Sequence, residues 1–198
     1  MRALLTAAVL LLPLTVAPQA RAGEWRIDPE HSEIGFAVTH LMVSDVKGVF
    51  ETYQAMLMVD EKDPTSVKVD VSIDMASVDT RSKKRDESLR GSDFLDVTKH
   101  PKMTFRSTKV EPGEAPNTFK VTGDLTIRGV TRPVVLAVQL SDEWKDPWSN
   151  RAHRGVKATT TINRRDFGMT WQSKMDRGGV VVGEEVRISI AADFIKKS

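Results

Sequence analysis

Strict alternation of apolar and polar residues recurs along this chain in segments too long and too numerous for any fold but a β-rich one. Val67, Val69, Val71, Ile73 and Met75 alternate with Ser66, Lys68, Asp70, Ser72 and Asp74. Phe119, Val121, Gly123, Leu125 and Ile127 alternate with Thr118, Lys120, Thr122, Asp124 and Thr126. The same pattern runs through Ile34, Phe36 and Val38, through Val134, Leu136, Val138 and Leu140, and through Val186, Ile188, Ile190, Ala192 and Phe194. Successive side chains of a strand point to opposite faces, so a period of two gives each segment one dry and one wet face. Weaker strands fit residues 49–59, 103–110 and 156–162, and a short piece at 24–28 brings the total to eight or nine. Residues 49–59 are apolar on both sides, so their inward face is open at this level.

One dry face per strand predicts an antiparallel sheet. Several strands reach about ten residues, beyond the usual five or six. Roughly eight of them, closed with a tilt near 40°, make a barrel just wide enough for one small ligand; a two-sheet sandwich uses the same pattern and is the alternative. Pro112-Gly113-Glu114 and Arg128-Gly129-Val130 predict hairpin connections, and Gly178 and Gly179 a loop before the last strand. No internal repeat, linker or second domain is visible.

The longest stretch without alternation is TRSKKRDESLRGSDFLDVTKHPKMTF, residues 80–105. Ser82 is placed to cap a short helix, Gly91 to end it in the left-handed conformation, and Ser92 to cap a second turn through Asp93, Phe94 and Leu95. Two short helices are therefore expected inside a β-rich chain. Their charges read mainly as capping and pairing within an insertion that covers one end or side of a barrel, with Leu89, Phe94 and Leu95 packed inward as a lid or plug.

Residues 1–22 read as a secretory leader. A basic start at Arg2, an apolar run from Ala3 to Val16 and Ala20-Arg21-Ala22 before Gly23 predict cleavage after Ala22 and a domain over 23–198. The run is too short to span a bilayer, and no later segment approaches that length. Removing Arg2 and Arg21 from the 29 basic residues leaves 27, equal to the 27 acidic ones, so the mature chain has no net charge to attract nucleic acid. Cys is absent, so the core alone must hold an exported chain; leader and composition together predict the periplasm of a Gram-negative bacterium.

Composition and spacing remove several chemistries. His31, His40, His100 and His153 are scattered, without metal-binding spacing, and call for no metal; no GxSxG elbow, P-loop or GxGxxG in the right setting occurs. No cofactor is implied. Asp86, Asp93 and Asp96 are the one carboxylate group from which a hydrolase site is conceivable, each equally explained by helix charge or an arginine partner. A stress-related interaction module is the third reading. Among the basic residues from Arg151 and Arg154 through Lys157, Arg164 and Arg165, one or two side chains at a barrel mouth suffice for an anionic head group. The eight Met residues include several on or beside strands, where adaptable apolar side chains suit either a core or a lipid-accepting wall. Burying a lipid at about 0.8 kcal/mol per methylene gives ten carbons roughly 8 kcal/mol, a micromolar scale before ordering costs.

The blocks WRIDPEHSEIGFAVTHL, VKGVF, SVDT, RDESLRGSDFLD, HPKMTF, GDLTIRGVTRPV and INRRDFGMTW follow one another from Trp25 to Trp171. With the last strand to Phe194 they resemble the YceI-like family of bacterial periplasmic polyisoprenoid-binding proteins over essentially the whole mature chain. The resemblance implies an all-β, extended eight-stranded antiparallel lipocalin-like barrel with a short helical insertion, binding an isoprenoid-type lipid or similar amphiphile, with a pyrophosphate or quinone head among the options, and no catalysis. A homodimer is left open. Its pattern falls on His31, Ser32, Phe36, His40, Arg85, Asp86, Asp93, Phe94, Pro101, Phe105, Arg165, Asp166, Phe167 and Gly168. Leu95 departs from it, standing where a second Phe is frequent.

The lipid-facing candidates are Phe36 and Val38; Met56 and Met58; Val69, Val71, Ile73 and Met75; Leu89 and Phe94; Met103 and Phe105; Phe119, Val121 and Leu125; and Phe167, Met169 and Trp171. The head-group candidates are His31, His40, Arg85 and Arg165.

Overall fold

The computed structural model describes residues 23–60, 63–176 and 178–197; the expected leader lies outside them. In chain order the strands are β1 (Gly23–His40), β2 (Ser44–Phe50), β3 (Tyr53–Asp60), β4 (Asp63–Asp74), β5 (Val78–Asp79), β6 (Lys102–Pro112), β7 (Thr118–Ile127), β8 (Val130–Lys145), β9 (Ala152–Asn163) and β10 (Val182–Lys196). A single α-helix among the described residues, α1 (Lys83–Arg90), interrupts them, and 3₁₀ turns follow β4 and β9. No helix there is long and apolar enough to cross a membrane.

Each strand hydrogen-bonds antiparallel to its neighbours in the order β1, β3, β4, β6, β7, β8, β9 and β10, and β10 pairs back onto β1. That last ladder closes an eight-stranded barrel and removes the sandwich alternative, because no sheet edge is left along the ring. The short β2 and β5 lie outside the ring, with β2 paired to β1 and β5 to β2.

The 18-residue β1 serves two partners on one side: Gly23 to Arg26 pair with β3, and Ile34 to His40 with β2. Between Asp28 and Glu33 its ladder with β10 shifts register, at the point where Pro29 has no N–H to give. The pieces read separately as 24–28 and 33–39 are thus one irregular strand. The opposite holds for 49–59, which splits into β2 and β3 at Glu51 and Thr52. Arg128 and Gly129, at φ of 53° and 73°, make the two-residue turn joining β7 to β8; positive φ at both positions matches the twist of the strands they connect.

Two clusters pack the barrel. The larger gathers Phe50, Tyr53, Met75, Val78, Leu95 and Phe167 near α1, and the smaller gathers Trp25, Ala55, Leu57, Val59, Ala192 and Phe194 at the opposite end.

The 80–105 insertion differs from expectation at both helix boundaries. Ser82 takes the N-cap position but its side chain makes no capping hydrogen bond. Gly91 is extended, at φ −70° and ψ 171°, and the left-handed residues of the segment are Arg81 and Asp96. Residues 92–95 form turns rather than a second helix. The Gly91 carbonyl accepts from the N–H groups of Phe94 and Asp96 while Leu95 N–H reaches back to Leu89, and this folds the chain over α1 instead of extending it.

Candidate ligand chamber

The inward rows of the eight strands enclose a cavity of about 1650 Å³. Pockets for drug-sized molecules hold roughly 300–1,000 Å³, so this one has room for a long molecule. A ten-residue strand such as β7 spans about 33 Å, which sets the scale of the chamber's length. Along β8 and β10 the inward residues Val134, Leu136, Val138, Val186, Ile188 and Ile190 are only half-buried although they face the interior. They border open space instead of other side chains.

Of the lipid-facing candidates, Phe36, Val38, Val69, Val71, Ile73, Leu89, Phe94, Met103, Phe105, Phe119, Val121, Leu125, Met169 and Trp171 line this chamber. Met56 and Met58 do not. The ladders of β3 with β1 and β4 turn Ala55, Leu57 and Val59 inward, all buried on the chamber wall, and the period of two sends both methionines outward. Met75 and Phe167 also fall outside the lining. Each sits in a 3₁₀ turn beyond a strand end, 0% and 1% exposed, as solid core near α1. Lining residues not nominated from sequence include Ile27, the small Ala158 and Ala192, and the inward rows of β8 to β10; the alternation of those last strands was the available signal.

The helix end of the chamber is formed by Ser82, Lys84, Arg85, Ser88 and Leu89 together with Gly91 to Leu95. Phe94 packs against Trp171 with ring centres 5.4 Å apart. Three arginines brace this cover, Arg85 from within it and Arg90 and Arg128 by tying it to neighbouring elements. Arg85 donates from Nε to Thr80 Oγ1 at 2.7 Å and from Nη2 to Thr80 O at 2.6 Å. Arg90 donates to Ala76 O at 2.7 Å and Val78 O at 2.8 Å. Arg128 donates to Ser92 O at 2.8 Å and also to Phe94 O. The charge density of the segment is therefore mostly structural.

The head-group candidates divide. His40 and Arg85 border the chamber, the latter already engaged with Thr80. His31 lies outside it, with Nδ1 2.9 Å from Asp28 Oδ2; that carboxylate raises the imidazole pKa above 6.5, and the imidazole in turn lowers that of Asp28. Arg165 is also outside, donating to Glu184 Oε1 at 2.8 Å and holding that carboxyl below its usual range. Arg164, 3% exposed, lines the chamber but aims its guanidinium at the carbonyls of Gly183, Met169 and Val182; burial pushes its pKa down.

The three aspartates do not converge on an open cleft. Asp86 is buried and binds Thr80, Asp96 pairs with Lys99 at 3.4 Å, and Asp93 alone of the three lines the chamber. Among the described residues no group of three or more His, Asp or Glu is placed to hold a metal ion.

Eight long antiparallel strands closed around an apolar chamber, with a helical segment across one end, define a lipocalin-like barrel. The profile of the YceI-like domain matches residues 25–194, and the chain belongs to that family. A UPF0312 protein of Ectopseudomonas mendocina is 40% identical over 167 residues, covering 83% of this chain and 86% of the relative. The crystal structure of a Campylobacter jejuni YceI protein superimposes with a TM-score of 0.69 at 31% identity, covering 81% of this chain and 90% of that one. A polyisoprenoid-binding domain from Saccharophagus degradans, implicated in plant cell wall breakdown, shares the fold with a TM-score of 0.62 at 15% identity over 87% of this chain and 98% of its own.

Proposed function

We infer that this protein binds an isoprenoid-type lipid inside its barrel and carries or sequesters it in the periplasm, by binding alone and without turnover. The carrying observation is the chamber of about 1650 Å³ whose apolar wall residues face one another across unfilled space. An empty apolar volume of this size lacks the contacts that packed interiors make, and a flexible hydrocarbon chain supplies them. The polyisoprenoid-binding domain of Saccharophagus degradans, built on the same barrel, supports the ligand class. The leader-like residues 1–22 support export, with cleavage after Ala22 leaving a lipid-binding domain over 23–198.

The test is mass spectrometry of the organic extract of protein purified from the periplasmic fraction of its host. A stoichiometric polyprenyl lipid is expected, together with a mature N-terminus at Gly23. Protein that arrives empty and takes up no polyprenyl lipid in titration contradicts the reading.

A further inference from the structure

The end of the barrel opposite α1 carries charge into the chamber. On β9 the inward series Ile162, Thr160, Ala158 and Val156 ends in Arg154, which register sets between Phe194 of β10 and Glu143 of β8. The Arg154 guanidinium lies over the ring of the buried Trp25, 5.3 Å from its centre, and Lys196 Nζ lies 5.5 Å from the same ring. The aromatic face meets the positive charge but supplies no oxygen acceptor. Arg154 Nε is buried and has no hydrogen-bond partner among the described residues.

Other arginines on the chamber contrast with this. Arg85 and Arg164 both direct their N–H groups at protein oxygens. Glu143, opposite Arg154 in the ladder, has its carboxylate 4.0 Å from Lys196 Nζ. A buried donor without an acceptor is rare in folded proteins and calls for an explanation. Nε itself is closed off, and the side chain reaches the chamber through its other atoms, where the walls are otherwise apolar for most of their length. The surrounding charge narrows the acceptor: Asp60, Asp142 and Glu143 line this end against Arg154 and Lys196, so a multiply charged anion meets carboxylates as well as cations.

Taking the isoprenoid reading above as its basis, we propose that Arg154 is the residue that recognises the polar end of the bound lipid. It takes an uncharged oxygen acceptor, a carbonyl or a hydroxyl, so that the lipid stands with its head beside Trp25 and its tail directed toward α1.

The test compares four probes of matched length on the purified protein: a polyprenol, a polyprenyl quinone, a polyprenyl diphosphate and squalene, which has no polar atom. Affinities are measured for the parent protein, Arg154→Met and Arg154→Lys. The expected result is a tenfold or greater loss of polyprenol and quinone binding in Arg154→Met, a smaller loss in Arg154→Lys, and unchanged squalene binding. Unchanged polyprenol and quinone binding in Arg154→Met overturns the proposal, as does a dependence on Arg154 confined to the diphosphate. If the parent protein binds squalene and the polyprenol equally well, the chamber reading stands and the head-group site falls; if it binds none of the four, both fall. A second measurement needs no variant. A polyprenyl probe with a photoreactive group at its head should label the peptides around Trp25, Arg154 or Lys196, whereas labelling of residues 82–95 reverses the orientation and overturns the proposal.

Discussion

A single carboxylate oxygen of Asp86 accepts two hydrogen bonds from Thr80, one from the backbone N–H at 2.9 Å and one from the hydroxyl at 2.6 Å. Both residues are buried, 6% and 3% exposed, and together they bind the start of α1 to the strand that precedes it. Asp86→Ala leaves two buried donors without a partner and is expected to lower stability by about 2–4 kcal/mol. Asp86→Asn keeps an acceptor oxygen and loses less. Urea denaturation of both variants measures the difference, and equal losses contradict this role for the carboxylate oxygen.

Arg128 holds the far side of the same cover through the carbonyls of Ser92 and Phe94. Hydrogen bonds from a charged donor contribute about 1.5–3 kcal/mol. Arg128→Met is therefore expected to raise amide exchange of residues 92–97 by roughly tenfold to a hundredfold, with the barrel strands unaffected. Hydrogen-exchange mass spectrometry reads this directly, and exchange of a bound lipid should accelerate in parallel.

Val138 is half-buried and faces the chamber. Free space in front of it lets a large ring enter without the overpacking that a filled core imposes. Val138→Trp is expected to reduce lipid capacity at least tenfold while the melting temperature stays within a few degrees of the parent. Thermal denaturation combined with a lipid titration separates the two effects. A melting temperature that collapses indicates that the chamber is not open at this point.

The Asp28–His31 pair gives the protein a pH-dependent element on its outer surface. Pairing raises the imidazole pKa above 6.5, so its contribution is full below 6.5 and is lost as pH rises through the raised value. Asp28 is lowered from 3.8, so its contribution is full above 3.8 and is lost as pH falls through the lowered value. Both are fully present from about pH 4 to 6.5. His31→Ala should therefore lower the melting temperature more at pH 5 than at pH 9. An equal effect at the two pH values removes the ion pair as the cause.

Several features of the barrel are legible in the sequence because they follow from local periodicity. In β4, β7, β8 and β10 the alternation alone assigns which side chains face the chamber, since the pleat leaves no choice once one face is dry. Where both faces are apolar the rule is silent. In β3 the ladders of Tyr53 with Ile73 and of Trp25 with Leu57 decide that Ala55, Leu57 and Val59 turn inward and that Met56 and Met58 turn out. Gly123 reads as an inward position, but its reason is visible only in the packing: a Cβ there would lie 2.4 Å from Phe105 Cζ and 2.5 Å from the Arg106 carbonyl oxygen.

By itself the sequence determined the strand content, the inward rows of most strands, the place of the insertion and the family, because these depend on neighbours within a few residues or on ordered blocks. Closure of the ring through β10 and β1, the turns that replace a second helix, and the meeting of Trp25, Arg154 and Lys196 at one end of the chamber were decided by the tertiary structure. The closure and the charged cluster depend on pairing between strands far apart in the chain, and the turns are held from a distance by Arg128 at the carbonyls of Ser92 and Phe94. A charged residue in an alternating strand reads as a solvated rim until the barrel closes, and closure is what turns Arg154 from one of several basic residues near a strand end into a cation that lies over Trp25 and lines an apolar chamber.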